Sequence, residues 1–215
     1  MTGAGPRIAV LDYGMGNLRS VEKALQHVGA TADVTNDHAL IRDADGLVLP
    51  GVGAFPRAME RIRELELDRL LSERLDGGVP TLGICLGLQL LFESSTEMGG
   101  AEGLGLVAGH VDRVASGGLK LPQIGWNAVS WRHRTALDDG LPDRCAFYHV
   151  HTYTPVPASD DDVLGTATYG GEFVTAIERA PLYGVQFHPE KSGAAGLRLL
   201  ANFTRICGGA LARAA

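Results

Sequence analysis

Apolar positions in the first third of the chain switch repeatedly between two periods. Arg7–Tyr13 (RIAVLDY) is almost continuously apolar and reads as a buried strand. Asn17–Val28 carries Leu18, Val21, Ala24, Leu25 and Val28 at three- and four-residue spacing, which predicts a helix. Thr31–Thr35 and Gly46–Pro50 (GLVLP) predict two more strands. Phe55–Leu75 keeps helical spacing and is expected to form one long amphipathic helix that stops at Gly77-Gly78. Strand–helix alternation implies a parallel sheet with helices on both faces.

From Gly103 onward the pattern is different. Short β-like segments follow one another: Leu104–Val114, Ala128–Trp131, Ala146–His151, Val163–Tyr169 and Phe173–Glu178. Gly170-Gly171 suggests a hairpin turn between the last two. Leu182–His188 (LYGVQFH) predicts a further strand, and Gly196–Cys207 a closing helix. The expected fold is α/β: three layers, a mostly parallel mixed sheet with helices on both faces, and antiparallel strands added late. One domain is expected over residues 1–215, with residues 1–6 as an N-terminal extension.

Composition narrows the function classes. A chain of 215 residues with 45% hydrophobic content fits one substantial domain, burying roughly 70% of its unfolded surface. Nineteen Lys+Arg against 25 Asp+Glu give a net charge of -6 without a basic cluster, so neither nucleic acid nor an anionic membrane is an expected partner. MTGAGP lacks the features of a signal peptide, and no apolar run approaches the length of about 18 residues that marks a transmembrane span. Three scattered cysteines argue against a disulfide framework, and neither C-x-x-C nor H-E-x-x-H occurs. A cytoplasmic protein without metal or other cofactor is expected.

The chemistry is concentrated in Val79–Phe92, VPTLGICLGLQLLF. A short apolar segment ends in Gly83-Ile84-Cys85-Leu86-Gly87, and a helix-like run, Leu88–Phe92, follows at once. G-x-C-x-G is the cysteine counterpart of the strand–turn–helix elbow that projects a nucleophile above an α/β sheet. A cysteine at a helix N-terminus meets unpaired backbone N–H groups that favour the thiolate. A thiolate nucleophile also needs a base, and the base an orienting group. Among seven histidines His188 is the best placed, in Gly184–Glu190 (GVQFHPE) at the end of an apolar strand. Glu190 is two residues on and shares its face in extended backbone, so its carboxylate can hold the imidazole in one tautomer. Cys145 and Cys207 read as packed thiols, and His27, His38, His110 and His133 as surface or loop residues.

Three motifs together resemble the class I, triad-type glutamine amidotransferases: GICLGLQLLF, PGVGAF at Pro50–Phe55 and GVQFHPEKS at Gly184–Ser192. DYGMGNLRSV near the N-terminus, KLPQIGWN at Lys120–Asn127 and YHVHTY at Tyr148–Tyr153 are similar, more finely, to the HisH-type glutaminase subunits of imidazole glycerol phosphate synthase. Leu88 and Thr152 depart from that pattern, standing where methionine and often serine are expected. The resemblance implies that Cys85 attacks the side-chain amide carbon of L-glutamine. His188 then protonates the leaving ammonia and activates water, while Glu190 orients the ring.

Oxyanion donors, each worth roughly 10²–10³ in rate, are expected from the Leu86 backbone N–H and from the Gly51-Val52-Gly53 loop, where a glycine peptide can rotate cheaply; an ordinary strand-to-helix turn is the alternative for that loop. Gln89, one helical turn after Cys85, faces the same side and could bind the substrate's α-groups. His151, Thr152 and Tyr153 look like further glutamine contacts by resemblance, with a strand-core role as the alternative. The resemblance also implies a separate (β/α)₈-barrel cyclase that receives the ammonia, forms a heterodimer with this chain, and makes imidazole glycerol phosphate and aminoimidazole carboxamide ribotide in histidine synthesis. Asn17, Trp126 and Lys191 would meet it, although Trp126 could equally be core. The alternatives are a glutaminase serving another ammonia-using synthase, or a catalytically silent scaffold.

Overall fold

A computed structural model describes residues 5–209. Residues 1–4 of the expected N-terminal extension lie outside the described residues, as do 210–215. Five parallel strands form the first half of a nine-stranded sheet: β1 (Arg7–Leu11), β2 (Thr31–Thr35), β3 (Gly46–Gly51), β4 (Thr81–Cys85) and β13 (Leu182–Val185). The other half is antiparallel: β8 (Gln123–Trp131), β9 (Arg144–His151), β11 (Val163–Tyr169) and β12 (Gly171–Arg179). The order across the sheet is β2-β1-β3-β4-β13-β12-β11-β8-β9. Gly170 alone separates β11 from β12, as the glycine pair suggests.

Strand alternation sends side chains to two cores. Ile8, Val10 and Val48 face one side with Val21 and Leu25 of α1 (Leu18–His27) and Leu199, Leu200 and Phe203 of α6 (Gly193–Cys207). Ala9, Leu11, Leu47 and Leu49 face the other side with Phe55, Met59 and Ile62 of α3 (Phe55–Glu64) and Leu67, Leu70 and Leu71 of α4 (Leu67–Asp76). These two helices replace the single long helix expected over Phe55–Leu75. The apolar stripe of α3 ends at Ile62 and that of α4 restarts at Leu67, five residues later. In a continuous helix that step rotates the stripe by about 140°. The chain breaks instead at Glu66, whose left-handed backbone (φ 52°) lets both stripes face one core.

Three further expectations change. The helix after Cys85, α5 (Leu86–Leu90), is a single short turn, and Phe92 starts a strand, β5 (Phe92–Ser95), rather than ending a helix. The expected strand Leu104–Val114 shortens to β7 (Val107–Arg113) and leaves the main sheet. It joins β5, β6 (Ala101–Glu102) and β10 (Tyr153–Pro157) in a second sheet ordered β10-β7-β5-β6, because β5 turns away immediately after α5. The strand expected to reach His188 stops at Val185, since its parallel neighbour β4 ends at Cys85, the residue after the one paired with Val185. A short helix not anticipated, α2 (His38–Arg42), is capped by the Asp37 carboxylate, which accepts from Ala39 and Leu40 N–H. No helix among the described residues is long and apolar enough to cross a membrane.

α5 approaches β3 and β4 so closely that a side chain at Gly87 or at Gly83 is excluded. A Cβ on Gly87 would fall 1.7 Å from the Leu49 carbonyl oxygen, and one on Gly83 would fall 2.8 Å from the Leu88 backbone. Both obstacles are main-chain atoms, so relief requires moving a strand. Gly87→Ala should therefore cost several kcal/mol and lower the melting temperature by roughly 2–4 °C for each kcal/mol. Gly78→Ala, with nothing within 4 Å of the added methyl but a φ of +79°, should cost only about 1–2 kcal/mol. Denaturant unfolding of both variants checks the contrast, and equal losses would contradict it.

Candidate active site

Cys85 ends β4, the strand flanked by β3 and β13 inside the parallel half of the sheet. Carboxyl ends of central parallel strands are where α/β sheets place their sites. Cys85 is buried and adopts φ 55°, ψ -110°, a conformation that side-chain-bearing residues rarely take. That turn reverses the chain from strand into α5 and leaves the sulfur at the wall of a cavity of about 260 Å³. The volume is slightly below that of drug-sized pockets, roughly 300–1,000 Å³, and suits a molecule the size of an amino acid. A larger cavity of about 660 Å³ lies at the opposite ends of the strands, beside Pro80 and Pro181, and contains none of these groups.

His188 and Glu190 flank Pro189 just beyond β13, beside Cys85. His188 Nδ1 is 2.9 Å from Glu190 Oε1, with the side chains 3% and 1% exposed. A carboxylate only accepts, so Nδ1 carries the proton. The other ring nitrogen, Nε2, is buried and makes no hydrogen bond of ordinary geometry, while Cys85 is close enough to act on the ring. Burial works against the imidazolium, but the interactions with Cys85 and Glu190 outweigh it and push the His188 pKa up to about 9. The ring is thus held as a proton donor at neutral pH, with one nitrogen fixed by Glu190.

Most of the remaining expected residues converge on the same cavity. Gly51, the last residue of β3, is paired in register with Cys85, and the Val52 and Gly53 that follow line the cavity. Leu86, Gln89, His151, Thr152 and Tyr153 line it as well. The His151 ring is 2.9 Å from the Tyr153 carbonyl through Nδ1, which must therefore donate. Its Nε2 is buried and unpartnered, and burial lowers its pKa to about 4. His151 is accordingly a neutral acceptor at the cavity wall.

Glu97 was not expected there. It lines the cavity and accepts the Phe55 N–H at 2.8 Å, a contact spanning 42 residues that local spacing could not reveal. His149, the second residue of YHVHTY, is fully buried. Its Nδ1 meets the Phe147 carbonyl and its Nε2 the Thr175 hydroxyl at 2.8 Å. Burial drives its pKa down to about 3, so it is a neutral polar link in the core.

Asn17, Trp126 and Lys191 lie outside the cavity. Lys191 is exposed directly after Glu190, and Asn17 precedes α1, which contacts the turn carrying Lys191. Trp126 is 60% exposed, so it is not a core residue, and it packs edge-on against Tyr148, whose carbonyl accepts the His188 N–H. Cys145 and Cys207 are half-buried, and burial raises both pKa values, that of Cys207 to about 12. Of the histidines set aside, His27, His110 and His133 are exposed; His38 instead starts α2 and meets the Leu65 carbonyl at 2.9 Å.

The balance at His188 predicts a measurable titration. Nitrogen chemical shifts of the folded chain should show the His188 ring protonated through neutrality, with a midpoint near 9. Glu190→Gln should lower that midpoint, because the negative charge that favours the cation is removed and the hydrogen bond left to Nδ1 is to a neutral amide oxygen. A wild-type midpoint at or below the ordinary histidine value would mean that burial dominates, and would contradict the pairing.

Residues 9–207 match the family model for glutamine amidotransferase class-I. Relatives named imidazole glycerol phosphate synthase subunit HisH include one from Moorella thermoacetica, 50% identical over 93% of this chain and 94% of its own. Another, from Aquifex aeolicus, is 48% identical over 93% of this chain and 96% of its own. Among solved structures, PurLQS from Thermotoga maritima superposes with a TM-score of 0.74 at 18% identity, over 94% of this chain and 99% of that one, a likeness of fold alone. On the family match and these relatives, the chain belongs to the class-I glutamine amidotransferases.

Proposed function

We propose that this chain is the glutaminase subunit of an imidazole glycerol phosphate synthase, hydrolysing L-glutamine to glutamate and ammonia through Cys85, His188 and Glu190. The observation that carries the chemistry is the buried His188–Glu190 pair beside a cysteine held on a strained elbow at a cavity of amino-acid size. The near-50% identity to HisH subunits carries the pathway.

The steps follow from the proton positions. Cys85 Sγ, as thiolate, attacks the γ-amide carbon, and the carbonyl oxygen takes the negative charge. His188 gives its Nε2 proton to the nitrogen, the C–N bond breaks, and ammonia leaves a γ-glutamyl thioester on Cys85. The now neutral His188 takes a proton from water, whose oxygen attacks the thioester. Cleavage of the C–S bond releases glutamate and regenerates the thiolate–imidazolium pair. Glu190 keeps Nδ1 protonated throughout, so that Nε2 does the proton transfer.

The Leu86 N–H and a peptide of Gly51-Val52-Gly53 are proposed to bind the oxyanion. The register pairing of Gly51 with Cys85 supports this, as does the freedom of a glycine at φ +119° to present either face of the adjoining peptide. The Glu97 carboxylate and the Gln89 side-chain oxygen can take the substrate's α-ammonium, and the His151 acceptor can take an N–H of the substrate. Thr152 and Tyr153 complete the wall on which the substrate lies.

Ammonia is a base that water protonates, which ends its use as a nucleophile, so delivery needs a sealed path to the acceptor. The acceptor site is assigned to a separate (β/α)₈-barrel cyclase that docks over the rim carrying Asn17, Trp126 and Lys191. An exposed tryptophan and an exposed lysine beside the catalytic turn support that assignment. Partner contact would also favour the oxyanion-binding orientation of the Gly51–Gly53 loop, which keeps the isolated chain from wasting glutamine. The reaction belongs in the cytoplasm, with no cofactor in this subunit.

Two variants of the assembled complex test this reading. Cys85→Ala should abolish synthesis from glutamine yet leave synthesis from added ammonia intact. Lys191→Ala should weaken assembly or raise the ratio of glutamate formed to product formed, without changing the fold. Glutamine turnover persisting in the alanine variant of Cys85 would refute the assignment of the nucleophile.

A further inference from the structure

Gln186 is fully buried two residues before His188, in a seam where an aliphatic side chain would pack at less cost. Its partners explain why a glutamine is there. The chain of contacts starts at the Tyr153 carbonyl, which can only accept. Gln89 approaches that oxygen at 2.9 Å, so the approaching group must be the Gln89 NH₂. The same nitrogen is 3.1 Å from the Gln186 side chain, so the atom it meets must be Gln186 Oε1. Gln186 Nε2 is then left facing Cys85 Sγ at 3.7 Å. Turning either amide over would set two donors, or two acceptors, against each other. The fixed backbone carbonyl therefore determines that a donor, and not an acceptor, reaches the sulfur.

We propose that Gln186 is a hydrogen-bond donor to the nucleophile, holding Cys85 as a thiolate aimed at the cavity. The claim deepens the glutaminase reading and rests on Cys85 being its nucleophile. The sulfur has two kinds of neighbour. The Val150 carbonyl, 3.9 Å away, can accept from a thiol. Gln186 can only donate, and its hydrogen bond strengthens when the sulfur carries charge.

The ionisable groups around Cys85 come from several elements. Tyr13 follows β1 and donates its hydroxyl to the Pro50 carbonyl. His188 and Glu190 follow β13, His151 ends β9, and Glu97 stands across the cavity. Of these, only the His188 cation favours the thiolate, and the two carboxylates oppose it. A neutral donor adds stabilisation there without introducing a further charge that would disturb His188.

Site-resolved alkylation by iodoacetamide across a pH series, read by mass spectrometry on the intact chain, tests the proposal without glutamine. Cys145 and Cys207 serve as internal references. In Gln186→Met the midpoint of Cys85 alkylation should rise by about one pH unit, a loss of about tenfold in rate at pH values well below the wild-type midpoint. The rate at the high-pH plateau should stay within about twofold of wild type. Gln186→Leu, also neutral and without a donor, should move the midpoint in the same direction and decides the matter if the Met variant does not fold. A lowered melting temperature with an unmoved midpoint would show that Gln186 is only structural and overturn the proposal. The two claims fail separately. An unmoved midpoint alongside a dead Cys85→Ala enzyme sinks this inference alone. A shifted midpoint with glutamine turnover surviving Cys85→Ala sinks the glutaminase reading instead.

Discussion

Contact between the Gly87 backbone and the Leu49 carbonyl is the constraint on which the rest of the site depends. With no side chain at Gly87, α5 lies directly against β3, and the chain must turn from strand to helix within one residue. That residue is Cys85, at φ 55° and ψ -110°. Such conformations cost of order 1–3 kcal/mol and persist only where the surroundings over-determine them. Here the surroundings are main-chain atoms of two central strands, β3 and β4, with cores on both faces of the sheet. The strain is carried where packed cores cover both faces of the sheet, and that packing fixes the position of the sulfur.

Electrostatics then divides the buried histidines by their partners. His188, His149 and His151 are all desolvated, which alone would make each neutral. His149 and His151 meet carbonyls or a hydroxyl and stay neutral, with pKa values of about 3 and about 4. His188 meets a carboxylate and a cysteine and goes the other way, to about 9. Around Cys85 the fold thus supplies one proton donor, His188, and one neutral acceptor, His151. Proton transfer and substrate binding require different protonation states of the same residue type, and this arrangement provides both.

The parts of this design that were legible in the sequence are the local ones. The alternation of two periods marks β1, α1, β2 and β3 within a residue or two, and the G-x-C-x-G spacing marks the elbow. His188 and Glu190 are two residues apart, so their pairing is also a local signal. What stayed hidden depends on contacts between distant segments. Glu97 reaches the cavity through Phe55, and the polarity of Gln186 is set by Tyr153 through Gln89. The second sheet escaped notice because Phe92 continues the apolar run of α5 with no turn residue between them. The break at Glu66 was encoded, since the five-residue step from Ile62 to Leu67 is out of phase with either neighbouring stripe. Counting apolar residues within the window conceals that phase slip.

Labelling with a diazoketone analogue of glutamine tests the central claim most directly, because covalent capture needs the nucleophile, the histidine and the substrate cavity together. The account predicts a single adduct on Cys85, suppressed by excess L-glutamine and lost in His188→Asn. An adduct on Cys145 or Cys207, or labelling of Cys85 that glutamine does not suppress, would contradict it.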